Sequence, residues 1–310
     1  MGLLERIQAR SLPKRPVRFV DANGACLAEM TDGADADAQG YEIERDELLQ
    51  MQFDAVKDEV EFVFADRIER MEESAEEVAV TFRSGKQRTY ALVFGCDGTH
   101  SAVRRMCFGE ESEYAAFLKM YFSITIVDKL LLDENTTQIF NTPGKTVMLN
   151  AYHGKTDICF CYRANAETVY DYRDAAQQKR MIAAQFADEG WRTNELLEAM
   201  RASENFYFDK LCQIRMPRWS KGRVALVGDA AYCPSPAAGL GGSLAIVGAS
   251  ALADAFMKHP NDYAAAFAEY HESLRPFIEK VQADAVSFGL ETFAPSTEEA
   301  IRERNARFAG

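Results

Sequence analysis

Positive charge is in short supply in this sequence: 35 Lys and Arg stand against 48 Asp and Glu, a formal net charge of −13. A chain of that sign repels both a phosphate backbone and an anionic bilayer, so neither nucleic acid nor a membrane surface is expected as a partner. Histidine is scarce as well. The four histidines in 310 residues include none at metal-ligand spacing with a cysteine or carboxylate, so no metal site is expected. Cysteine is present without a pattern: seven residues, an odd number, scattered and with no CxxC pair. With no signal peptide evident, they read as reduced thiols of a cytoplasmic protein. No apolar run reaches the length of a membrane span, and there is no internal repeat or low-complexity tract.

What remains is an ordinary globular composition, 47% hydrophobic and 27% charged, in a chain long enough for two domains. The stretch from Gly222 to Ser250, GRVALVGDAAYCPSPAAGLGGSLAIVGAS, carries the most information. Val224-Ala225-Leu226-Val227 is a short apolar run rich in β-branched residues, closed by Gly228-Asp229, and reads as a buried strand. Pro234 and Pro236 hold an irregular crossing. Gly239, Gly241 and Gly242 then lead into a small-residue apolar helix from Ser243 to about Phe256. That order of strand, carboxylate, glycine-rich turn and helix sets unpaired backbone N–H groups and the positive end of a helix beside a ligand. Alone, it also describes any buried βα unit with a tight corner.

A second stretch repeats the design. Tyr90-Ala91-Leu92-Val93-Phe94-Gly95 reads as another buried strand and runs into Cys96-Asp97-Gly98-Thr99-His100-Ser101-Ala102-Val103-Arg104. The pair, GCDGTHSAVR and then GRVALVGDAAYCPSPAAGLG, resembles the two motifs of FAD-dependent monooxygenases of the p-hydroxybenzoate hydroxylase type. In that family G-A-D-G-x-x-S-x-V-R precedes G-R-V-x-L-x-G-D-A-A-H-x-x-x-P-x-x-G-x-G. Ile43-Glu44-Arg45-Asp46-Glu47-Leu48 also fits the family's I-x-R-x-x-L pattern, whose arginine reaches toward the flavin. Arg45 at a helix start is otherwise an odd choice, because the helix dipole disfavours a cation there.

The resemblance implies roles for particular residues. Asp229 would accept hydrogen bonds from the ribityl hydroxyls, and Pro236 would pack near the ring. The turn Gly239-Leu240-Gly241-Gly242 would present N–H groups to the negative charge of reduced flavin, and Asp97-Gly98 would lie near the pyrophosphate. Arg104 is expected to brace its own turn rather than touch ligand. Where the family carries histidine, this chain has Tyr232. Phe267, Tyr270 and Leu274-Arg275-Pro276 loosely resemble the family's aromatic-then-Arg-Pro segment.

A larger departure is an absence. No G-x-G-x-x-G occurs in the sequence; Gly239 and Gly241 are followed by Leu244 at the third position. The family's opening βαβ unit is therefore not found, and Met1 is expected to match an internal position of longer members. On that ground FAD is expected to be held weakly, or the chain to recruit a second copy.

The remaining pattern gives a coarse layout. A short helix is expected over 1–10, a hairpin over 17–20 and 26–30, a polar loop at 32–40 and a helix from about Glu42 to Val56. A strand at Val60–Ala65 is expected to precede a three-stranded meander over 68–73, 78–83 and 88–94, with Glu72, Glu73, Glu76 and Glu77 as a solvated edge. An antiparallel sheet is expected from 120–127, 138–140, 146–151, 157–163 and 206–214, with helices at 175–186 and 194–202. Tyr152, Phe160 and Tyr162 are expected to pack its core. Helices at 263–282 and 297–308 close the chain.

The expected fold is α/β: a Rossmann-like three-layer FAD-binding domain, N-terminally truncated, from 41–115 and 212–310. A β-rich α+β substrate domain of 116–211, with the hairpin 17–30, is inserted. The implied activity is FAD-dependent monooxygenation of an aromatic or polyketide-like small molecule with NAD(P)H and O2, with a homo-oligomer possible. The alternative is a non-catalytic remnant of that family with weak or no FAD binding.

Overall fold

Strand Val224–Leu226 runs parallel to Val93–Gly95, with Val224 opposite Val93, Ala225 opposite Phe94 and Leu226 opposite Gly95. Two motif-bearing strands distant in sequence therefore lie side by side, and the chain leaves both of them at the same end of the sheet. All three residues of Val224–Leu226 are buried, which explains the unbroken apolar run. The computed structural model describes residues 2–30 and 40–308. It divides the chain into two compact units, Met1–Phe64 with Tyr121–Asp209 and Ala294–Gly310, and Ala65–Met120 with Lys210–Phe293. Residues 41–64 and 294–310 thus group with the large sheet rather than with the motifs.

The second unit holds the parallel pair, with Ser220–Lys221 added antiparallel to Val224–Leu226. A separate meander, Ile68–Glu73, Val78–Phe82 and Gln87–Tyr90, is antiparallel throughout. Val78 and Val80 face inward and Ala79 outward, the alternation of a half-buried strand. The helices Gly241–Lys258 and Tyr263–Asp284 complete the unit. Asp262 caps the latter by accepting from the Ala265 N–H at 3.0 Å. The core joins Leu226, Trp219, Tyr232, Leu244, Phe267, Tyr270 and Ile278.

The first unit holds most of a seven-stranded sheet. Four of its strands, Ala115–Val127, Thr136–Thr142, Lys145–Tyr152 and Lys155–Arg163, bear out the β-rich expectation between the motifs. Phe160 and Tyr162 are buried, and Phe160 meets Phe186 of the helix Ala175–Phe186 edge-on at 5.0 Å. Tyr152 is buried too, so all three aromatics pack the core as expected. The hairpin Val17–Val20 and Cys26–Met30 forms as expected around Asp21, whose carboxylate accepts from the N–H groups of Asn23 and Ala25.

Three expectations are corrected. Val60–Ala65 is not a strand. Its apolar residues are exposed, Phe64 at 75%, and Phe53, Phe62 and Phe64 cluster on each other; Ala65, at φ 59°, turns the chain before a ladder can form. The large sheet is mixed rather than antiparallel, because Val17–Val20 pairs parallel with Thr136–Thr142. Glu73 is not merely solvated: its Oε1 accepts from the Arg223 N–H at 2.8 Å. Residues 32–39 of the expected polar loop lie outside the described residues.

Candidate cofactor site

Two turns leave the parallel strand pair. At the first, the Asp97 carboxylate accepts from the Ala102 and Val103 N–H groups at 2.7 and 3.1 Å and from the Ser101 hydroxyl. Ser101 is the N-cap of the short helix Ala102–Cys107, its hydroxyl accepting from the Arg104 N–H at 2.9 Å, and the Asp97 carboxylate satisfies two further orphan donors of the first turn. Gly98 follows at φ 81°, with nothing within 4 Å of where a Cβ would point.

Arg104 is 1% exposed and ties the two turns together. Its Nη1 donates to the Ala230 carbonyl at 2.9 Å and its Nη2 to the Thr99 carbonyl at 2.5 Å, with Glu111 at 3.4 Å. Burial pulls its pKa down, and the Glu111 and Asp97 charges oppose that. The expected bracing role holds.

At the second turn, Gly228 leads into the one-turn helix Asp229–Tyr232. Beyond Ser235, Pro236 opens a 3₁₀ turn ended by Gly239 in the left-handed region at φ 66°, a conformation that favours glycine. The helix Gly241–Lys258 then starts with no side-chain cap. Its first internal bond runs from the Leu244 N–H to the Leu240 carbonyl at 2.9 Å. The N–H groups of Gly241, Gly242 and Ser243 thus stand at the positive end of an 18-residue helix. A Cβ on Gly241 would sit 4.0 Å from Asp229 Oδ1, and one on Gly242 would meet nothing within 4 Å. Pro236, Gly239 and Leu240 are exposed.

The structure thus brings Asp97 and Gly98 to one turn and Asp229, Pro236 and Gly239 to Gly242 to the other, both within the second unit. Arg45 belongs to the first unit. It is the first residue of the helix Arg45–Val56, exposed, with no ion pair among the described residues.

Two residues, Cys233 and Gly248, escaped the motif reading. Cys233 receives the Thr99 hydroxyl at 3.6 Å, and burial together with the Asp229 charge pushes its thiol up to about 12. Tyr232, standing where the family has histidine, makes a 3.0 Å hydroxyl contact with Tyr270, whose hydroxyl also donates to the Leu226 carbonyl at 3.1 Å. Burial raises the pKa of both tyrosines. Gly248 makes room for that arrangement, since a Cβ there would lie 1.8 Å from Tyr232 Oη. A glycine inside a helical run was the available sign.

Residues 1–285 match the model of the FAD binding domain family. A flavin-dependent monooxygenase from an unidentified prokaryote is 35% identical over 311 residues, covering 98% of this chain and 80% of that protein. One from Legionella longbeachae is 35% identical over 288 residues, covering 91% of this chain and 73% of that protein. Among solved structures, the tetracycline destructase Tet(55) superposes with a TM-score of 0.86 at 34% identity, covering 99% of this chain and 80% of that one. Salicylate hydroxylase shares the fold, with a TM-score of 0.71 at 16% identity. The paired motifs and these likenesses agree: the chain belongs to the FAD binding domain family and is an enzyme of the flavin-dependent monooxygenase kind.

Proposed function

We propose that the second turn is the flavin end of an FAD site and that the enzyme, reduced by NADH or NADPH, adds an oxygen atom from O2 to an aromatic or polyketide-like small molecule. The observation that carries this reading is the uncapped helix start at Gly241, with the Asp229 carboxylate 4.0 Å from the glycine's missing Cβ. Donor N–H groups, an acceptor carboxylate and room at Gly239 and Gly242 fit a polar, flat cofactor with hydroxyls on one side and developing negative charge on the other. When bound, FAD supplies the redox and oxygen chemistry.

The chain's own residues then have separable tasks. Asp229 accepts hydrogen bonds from hydroxyls and fixes the cofactor's placement. The Leu240, Gly241 and Gly242 backbone, with the helix dipole behind it, favours the reduced, anionic ring before any substrate arrives. Pro236 at the start of the 3₁₀ turn holds its φ and limits movement of the Gly239 corner. The Asp97 carboxylate orders the start of its helix, and the turn at Gly98 would lie near the pyrophosphate. Arg45, carried by the resemblance, would add a positive charge toward the cofactor.

The proposed division places cofactor binding in 41–115 and 212–310 and the substrate in 116–211 with the hairpin 17–30. The names of the tetracycline destructases fit a polyketide-like substrate. Their likeness over nearly the whole chain, with that of the named monooxygenases, disfavours a non-catalytic remnant. No helix among the described residues is long and apolar enough to cross a membrane. A cytoplasmic site of action, as a homo-oligomer, belongs to the same proposal.

The test supplies purified protein with FAD, NADH or NADPH, O2 and a panel of phenols and tetracyclines. Product heavier by one oxygen atom supports the reading. Peroxide alone with every substrate, under either reductant, contradicts monooxygenation.

A further inference from the structure

Cys233 stands at the end of the one-turn helix Asp229–Tyr232 and is 4% exposed. It follows Asp229 by four residues, one helical turn, so the two side chains share a face. Asp229 in turn meets the helix start, its Oδ1 4.0 Å from where a Gly241 Cβ would be.

A thiol carries one proton and accepts through its lone pairs. The Thr99 hydroxyl donates to Cys233 Sγ at 3.6 Å, and the Ser235 N–H donates to it as well. Two acceptors compete for the S–H, the Asp229 carboxylate and the Cys212 carbonyl, the latter at 3.9 Å. A charged acceptor makes the stronger bond, so the proton goes to Asp229. Burial first, and then the Asp229 charge, push the thiol up to about 12. It therefore stays protonated, and a donor, throughout the neutral range.

Both ends of this link are fixed. Arg104 holds the Thr99 carbonyl at 2.5 Å and the Ala230 carbonyl at 2.9 Å, which ties the first turn to the helix that carries Asp229. The Cys233 carbonyl accepts from the Ile214 N–H at 3.1 Å and from Gln282 Nε2 at 3.2 Å. Asp229 itself is only partly buried, and an aspartate so placed samples several rotamers unless something holds it. A fixed donor one turn away removes that freedom before any ligand arrives. Thr99, Asp229, Cys233 and Gly241 all belong to the second unit.

We propose that Cys233 is a positioning residue of the cofactor site: its thiol, set by Thr99 of the first turn, holds the Asp229 carboxylate in the rotamer that meets the cofactor's hydroxyls. That role rests on the flavin reading of the turn, and it links the two motifs through side chains that the motifs themselves do not name.

One measurement needs no flavin. In the infrared spectrum of the full-length FAD-free protein, the S–H band lost in Cys233→Ser belongs to Cys233, and it should lie at the low frequency of a strongly hydrogen-bonded thiol. Asp229→Ala should move that band to higher frequency, as the donor falls back on the distant Cys212 carbonyl. The other measurement is titration with FAD, followed by flavin fluorescence. Cys233→Ala should weaken binding by about threefold to tenfold, and Cys233→Ser, which keeps a donor, should recover most of the loss. With Asp229→Ala already in place, adding Cys233→Ala should weaken binding no further, whereas a loosened fold would lower affinity in both backgrounds.

The two possible failures look different. Parent-like FAD affinity in Asp229→Ala overturns the flavin reading of the turn, and the role of Cys233 with it. A loss in Asp229→Ala combined with an unmoved S–H band, parent-like affinity in Cys233→Ala or no recovery in Cys233→Ser leaves the flavin reading standing and overturns the positioning role alone.

Discussion

Arg104 reaches from the first motif to the second, its Nη1 donating to the Ala230 carbonyl at 2.9 Å while its Nη2 holds the Thr99 carbonyl. The motifs are thus joined twice, once through parallel strand pairing and once through a buried guanidinium. A lysine cannot reproduce the fork. Arg104→Lys should lower unfolding stability by about 1.5–3 kcal/mol, the range for a lost hydrogen bond to a charged group. Urea denaturation reads it, and an unchanged midpoint would show the bridge to be dispensable.

Asp229 differs from Arg104 in being only partly buried, at the point where the Gly241 helix begins. If its task is to hold cofactor hydroxyls, Asp229→Ala should weaken FAD binding by about tenfold to a hundredfold, the loss expected of a charge-assisted hydrogen bond. Melting of the FAD-free protein should move little. A titration of flavin fluorescence gives the affinity, and an unaltered value removes Asp229 from the site.

Gly241 permits a sharper separation of structural and ligand roles. A Cβ at that position meets only Asp229 Oδ1, at 4.0 Å, so the chain itself tolerates a side chain there. Gly241→Val should therefore leave the FAD-free fold within about 1 kcal/mol of the parent while excluding the ring from the backbone. Flavin content after dialysis is the measurement. Near-normal content would place the ring elsewhere.

Alkaline pH should unfold the protein through its thiols. Burial lifts Cys159 and Cys233 from 9.0 to about 12. The folded state then keeps protons that the unfolded chain releases above about pH 9, so this stability is complete below about pH 9 and is lost as pH rises toward about 12. Tyr162 and Tyr270, also raised by burial, act in the same direction. The urea midpoint should fall steadily beyond about pH 9. Replacing both thiols, Cys159→Ala with Cys233→Ala, should make that fall shallower. A flat profile to about pH 11 would contradict the burial account.

Local patterns were legible where one face decides the outcome. Val78 to Val80 alternate, and the glycines and prolines at 234–242 announce their turn, because backbone sterics act within a few residues. Partnership was not legible. Nothing local says that Val17–Val20 pairs parallel with Thr136–Thr142, or that 60–65 finds no ladder partner despite its β-branched and aromatic content. The same limit runs through the candidate site. Asp97 reads from its motif as lying near a pyrophosphate, and nothing local shows that its carboxylate also accepts from the helix N–H groups five and six residues on.

Tyr232 and Gly248 form the most exacting contact in that site, and they give the last prediction. The tyrosine hydroxyl lies 1.8 Å, and Cζ 3.0 Å, from where a Gly248 Cβ would stand. The ring cannot simply retreat, because Trp219 packs against it with a 4.6 Å centroid separation and Tyr270 holds its hydroxyl at 3.0 Å. Gly248→Ala alone should therefore cost about 1–3 kcal/mol through overpacking in a helix where alanine is otherwise the better residue. Histidine, shorter than tyrosine by the phenol's outer atoms, removes the obstacle. In Tyr232→His protein the same Gly248→Ala change should cost little or even stabilise, so the two substitutions couple by about 1 kcal/mol or more. Urea midpoints of the parent, both single variants and the double variant complete the cycle. Additive effects would mean that Gly248 answers to something other than Tyr232, and that the histidine-to-tyrosine departure was accommodated without it.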